Sequence, residues 1–76
     1  MTTLPIRHPD APPVGARIEI PAHFDLWMRG ARTGTVAHHS RGLNGAPDFI
    51  KVRMDHPRVR NLLRIAQSDW TLIKEL

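Results

Sequence analysis

Cysteine and tyrosine are both missing from this chain of 76 residues, and its aromatic side chains are limited to two tryptophans and two phenylalanines. Without cysteine there is no disulfide and no thiolate metal ligand, and the composition fits a reducing cytoplasm. Without tyrosine, the aromatic-paved groove that receives proline-rich peptides cannot be built in its usual form. No apolar run approaches the roughly 18–20 residues needed to cross a bilayer. No basic stretch followed by an apolar one opens the chain, so no signal peptide is read. The chain is therefore expected to be cytoplasmic and to make no membrane contact. Its length allows one domain with one small core.

Acidic residues are also scarce, seven against eleven lysines and arginines, and they are unevenly placed. From Arg29 to Arg64 there are eight cations and only Asp48 and Asp55 as counter-charges, while both flanks are slightly acidic. Nine of the eleven cations are arginine, whose planar fork suits phosphate and carboxylate. A central basic field of this kind points to nucleic acid or another anionic partner.

Most of the chain reads as strand and turn. Residues 1–13 carry Pro5, Pro9, Pro12 and Pro13, which deny a helix and predict a disordered or extended arm. The folded domain is then 14–76. Val14, Ala16, Ile18 and Ile20 alternate with Arg17 and Glu19, the pattern of a half-buried strand that Pro21 stops. Residues 21–32 read as a long loop and Thr33–His39 as a second strand. Trp27 to Val36 is the stretch that organises the rest, with Gly30 and Gly34 four residues apart, Arg29 and Arg32 among them, and a Thr-Val step after them. Such glycines suit a tight loop that feeds a strand and presents its arginines from a rigid base.

Asn44-Gly45 favours a tight reversal. Phe49 to Met54 alternates again, with Ile50, Val52 and Met54 on one face and Lys51 and Arg53 on the other. Two readings compete for the stretch from Asp55 to Ala66. One is a helix started at Pro57; the other is a loop followed by a strand with Leu63 and Ile65 inward and Arg64 outward. The strand is preferred because its neighbours are strands. Gln67-Ser68-Asp69 then reads as a turn and Trp70 to Ile73 as the last strand, with Leu72 inward.

Five short strands in a chain of this size predict an all-β protein, a small five-stranded barrel. The strand from Val14 to Ile18, the loop ending Gly34-Thr35-Val36 and the terminal Ser68-Asp69-Trp70-Thr71-Leu72-Ile73 resemble the SH3-like barrels over residues 14–74. Gly34-Thr35-Val36 with Arg29 and Arg32 upstream is similar to the KOW-type module of ribosomal and transcription-elongation proteins. That resemblance implies binding to nucleic acid or to its protein partners. His56-Pro57 followed by Leu63-Arg64-Ile65-Ala66 also resembles the pore strand of the type II dihydrofolate reductases, which are tetramers of such barrels. Arg64 and Ala66 stand where that family has glutamine and tyrosine.

The five histidines show no ligand spacing, and His38 and His39, if on a strand, point to opposite faces. Asp55 is read as a cap or turn residue beside Pro57, because no nucleophile accompanies it. Trp27 either covers the core or stacks on a base. The residues together predict a non-catalytic module without cofactor or metal. It is expected to bind nucleic acid or a ribonucleoprotein through Trp27, Arg29, Arg32, Lys51, Arg53 and Arg64. A homo-oligomeric interaction subunit, of the kind a phage or mobile element would use, is the alternative, and a reductase-like pore is a second.

Overall fold

Residues 6–76 are described by a computed structural model. Five strands form one sheet: β1 (Arg17–Glu19), β2 (Thr33–Ser40), β3 (Phe49–Met54), β4 (Leu63–Ala66) and β5 (Lys74–Glu75). Their order is β4-β3-β2-β1-β5, and every neighbouring pair is antiparallel. The all-β expectation holds. Among the described residues no helix is long and apolar enough to cross a membrane.

The alternation in β3 translates directly into burial. Ile50, Val52 and Met54 enter the core, where they meet Ile18, Ile20, Val36, Ile65 and Trp70. β4 is a strand, as preferred, with Ile65 buried, Leu63 partly so and Arg64 exposed.

The first strand is shorter than its apolar alternation. A turn closed by Ala16 N–H to the Pro13 carbonyl bends the chain before β1, leaving Val14 54% exposed and not inward as expected. Ile18 and Ile20 do enter the core.

The predicted loop after β1 contains one helical turn, α1 (Asp25–Met28). Its end explains Gly30. The Ala31 N–H bonds the Leu26 carbonyl and the Gly30 N–H bonds that of Trp27, with Gly30 at φ +90°. This is the Schellman closure, in which the residue after the C-cap must be left-handed and glycine adopts that conformation freely. It drives Ala31, a small residue absent from the predicted core, into that core.

Gly34 has a different reason. It lies inside β2, and a Cβ there would sit 2.6 Å from the Arg53 carbonyl oxygen and 2.8 Å from a Val52 methyl. Only a bare Cα lets β2 and β3 approach this closely.

β2 and β3 are joined by residues 41–48, with Asn44 (φ 54°) and Gly45 (φ 80°) at the tip and Ala46 N–H bonded to the Leu43 carbonyl. Two successive positive φ values closed by this bond are those of a type I′ turn, as the Asn-Gly pair predicts.

The last strand is displaced from its expected position. Residues Gln67–Leu72 form a 3₁₀ helix, and only Lys74–Glu75 pair with β1. With three residues per turn, Trp70 aligns with Ile73 and not with Leu72. Trp70 is buried, its indole N–H donating to the Ile65 carbonyl at 3.2 Å, and Ile73 packs against the core. Leu72, expected inward, is 57% exposed.

Residues 6–13 form neither helix nor strand, and they are docked on the sheet. The first five residues of the predicted arm lie outside the described residues. The anchor is His39, 7% exposed, whose Nδ1 accepts from the His8 backbone N–H at 2.9 Å. Its Nε2 must then carry the proton donated to the Pro12 carbonyl at 2.8 Å. The His8 ring stacks on His39 and tilts against Trp70.

His39→Phe keeps an aromatic ring but removes both hydrogen bonds. Because the freed backbone groups belong to a terminal segment, they can rehydrate, so the cost stays below the ~1–3 kcal/mol of a trapped unpaired group. The expected outcome is local: fast hydrogen exchange at the His8 and Ala11 amides with the β3 amides still protected.

Candidate nucleic-acid interface

A bulge decides which histidine reaches the surface. Val36 pairs with Val52, but His38 pairs with Lys51, so Ala37 is an extra residue in β2. Past Ala37 the alternation is reset. His38 therefore turns out to solvent and His39 turns in to meet the N-terminal segment.

On the outer face the register aligns basic side chains in rows. His38 of β2, Lys51 of β3 and Arg64 of β4 are direct cross-strand neighbours. The next outward row is Arg17, Thr35 and Arg53. Phe49 flanks the first row, and the Arg64 guanidinium carbon lies 3.9 Å from its ring centroid. An arginine over a ring is held by the quadrupole and keeps its N–H edge for another partner.

Of these cations, Arg17 is already neutralised. It makes a forked pair with both Asp55 carboxylate oxygens and donates to Thr35 Oγ1 at 2.9 Å, while Thr33 Oγ1 donates to Asp55 Oδ2 at 2.9 Å. Asp55, expected as a turn or cap residue, thus also ties β1 to the end of β3. Among the described residues the other close contacts between basic and acidic side chains are His8–Asp48 at 3.5 Å and His23–Asp69 at 3.4 Å. None of the pairs involves Lys51, Arg53 or Arg64.

Hydrogen bonds from Arg17, then Thr33, hold the Asp55 carboxyl at about 2, below its ordinary value of 3.8. A depressed folded-state pKa adds stability above the unfolded pKa, and that stability is lost as pH falls through the folded one. The window is therefore about pH 4 to about pH 2. Both side chains are nearly half exposed, which keeps the effect small. Asp55→Asn should lower the melting temperature by no more than a few degrees at pH 6. The gap to the native protein should narrow as the pH approaches 2; a gap independent of pH would reject the assignment.

The six residues predicted from sequence fall into two groups. Lys51, Arg53 and Arg64 share the outer face of β3 and β4. Trp27 is half buried against the core, with the Arg32 guanidinium 4.7 Å from its ring centroid. Arg29, at the end of α1, faces a groove shared with the β3–β4 connection. Their closeness in sequence does not place Trp27 and Arg29 with the sheet residues, because the Schellman turn reverses the chain between them and β2.

Sequence reasoning missed His38, whose outward direction depends on the bulge, and Arg58 and Arg60, which line the same groove as Arg29. Comparison with protein-family models, with curated proteins and with solved structures gives no match.

Proposed function

We propose that this protein is a small non-catalytic binding module that grips the phosphate backbone of a nucleic acid with the outer face of β2, β3 and β4. The observation that carries this reading is the Lys51–Arg64 pair. Like charges directly opposite across a sheet are destabilising, and among the described residues no carboxylate pairs with them. His38 extends the row and Arg53 lies on the same face. A phosphate chain laid across the rows would relieve that repulsion and release counterions.

The aromatic side chains favour backbone contact over base stacking. Phe49 is covered by Arg64 and Trp27 by Arg32, so neither offers a free platform to an unpaired base. Duplex should therefore bind at least as tightly as single strands. We further read the sheet as an SH3-like barrel of the KOW type. The order β4-β3-β2-β1-β5, with a 3₁₀ turn before the last strand, supports that reading.

Fluorescence anisotropy with labelled duplex DNA, single-stranded DNA and RNA tests the proposal. Binding should weaken as salt is raised from about 50 mM to about 200 mM. Binding indifferent to salt, or no binding to any of the three, would reject it.

A further inference from the structure

The groove that takes Arg29 is lined by none of the outward cations of the cross-strand rows, although a neighbouring cleft joins its Leu26 and Leu63 to Arg64. The groove runs between α1 and the connection from β3 to β4 and has a volume of about 820 Å³. Its floor is aliphatic: Leu26, Val59 and Leu63 are half buried and continuous with the core, and Leu62 adds a fourth side chain. Its rim is basic, with Arg29, Arg58 and Arg60 all exposed. Among the described residues no carboxylate lines it, and His56 supplies its single aromatic ring.

The rim is held in shape by its own backbone. Asp55 N–H bonds the Thr33 carbonyl, Val59 N–H bonds that of His56, and Arg58 N–H donates to His56 Nδ1 at 3.2 Å. These bonds restrain the backbone of residues 55–59 and so lower the ordering cost that a ligand must meet there.

We infer that this groove docks an acidic segment of a partner protein that carries aliphatic anchor residues. Charge complementarity requires a negative occupant, because three arginines surround the floor without a counter-charge. The floor then separates peptide from nucleic acid. A nucleotide base would lie mainly on leucine and valine, with His56 the single aromatic ring among the described lining residues and its Nδ1 already engaged by the Arg58 N–H, whereas leucine-like side chains fill such a floor and leave their carboxylate neighbours at the rim. The site is independent of the sheet face, since it uses none of Lys51, Arg53 and Arg64.

The test is a titration of the isotope-labelled full chain, followed by amide chemical shifts. The probe is a blocked synthetic peptide of about twelve residues, built from aspartate and glutamate with two leucines four positions apart, the spacing of neighbours on one helix face. Shifts should concentrate at Leu26, Arg29 and residues 58–63. The Arg58→Glu/Arg60→Glu variant should weaken binding roughly tenfold, since it reverses two exposed rim charges. Both side chains are exposed, so its spectrum should otherwise match the native one. Replacing the probe's leucines with serine should abolish the groove shifts.

Shifts confined to the Lys51–Arg64 face would overturn the inference, as would equal binding of the serine peptide or no shifts at millimolar peptide. A short single-stranded oligonucleotide that perturbs the groove in preference to the peptide would assign it to nucleic acid. Loss of nucleic-acid binding by the sheet face would leave these outcomes unchanged, so the two readings fail separately.

Discussion

Gly34→Val is expected to remove a large part of the protein's stability, even though β-propensity alone predicts a gain. Valine is a better strand former than glycine, and replacing glycine reduces unfolded-state entropy, together about 1 kcal/mol in its favour. Against this stands a Cβ placed 2.6 Å from the Arg53 carbonyl oxygen, a backbone atom in the adjacent strand. It cannot swing away like a side chain, so β2 and β3 must part, and these strands form the centre of the sheet. Overpacking costs ~1–3 kcal/mol where side chains can yield, and backbone contact puts the cost at or above the top of that range. A domain of this length has roughly 4–11 kcal/mol of stability in all. Urea unfolding should show Gly34→Ala with a clearly lower midpoint and Gly34→Val lower still. A midpoint unchanged or raised in Gly34→Ala would show that the strands can separate at no cost.

That result would also show what the sequence conceals. Gly30 and Gly34 look alike in the chain, yet one ends a helical turn through a left-handed backbone and the other admits a neighbouring strand. Positive φ can be anticipated from glycine before a strand, but close approach depends on a partner eighteen or more residues away. Local periodicity served best where both faces of a strand were decided by water, as in β3, whose three inward residues and outward Lys51 and Arg53 follow from alternation alone. It failed where the backbone changed period. The bulge at Ala37 exchanges the fates of His38 and His39, and the 3₁₀ turn pairs Trp70 with Ile73 at the expense of Leu72. The candidate site divides along the same line. Lys51, Arg53 and Arg64 were legible because they occupy outward positions of regular strands. Arg29, Arg58 and Arg60 meet only through tertiary packing of α1 against a connection, which no spacing reveals.

The sheet face makes the second large prediction. If Lys51, Arg53 and Arg64 each neutralise one phosphate, replacing all three with alanine removes three counterion-release events. For duplex DNA the slope of log affinity against log salt should then become shallower by roughly 2.7. A fourfold rise in salt would accordingly cost the native protein roughly forty times more affinity than the variant. Stability should change little. Removing the Lys51–Arg64 juxtaposition relieves a repulsion between directly opposed residues. Some of that gain is offset by losing the Arg64 contact with Phe49, worth ~0.5–1 kcal/mol at an exposed site. The variant should thus be no less stable by more than about 1 kcal/mol, which separates lost binding from lost folding. Unequal single variants would refine the path of the backbone. Arg53→Ala lies one outward row from the Lys51–Arg64 pair and should reduce the slope by about one contact on its own. A triple variant that binds duplex with the native slope would mean that the charged rows do not meet phosphate. The opposed cations of β3 and β4, which meet no carboxylate among the described residues, would then need a different anionic partner to account for their repulsion.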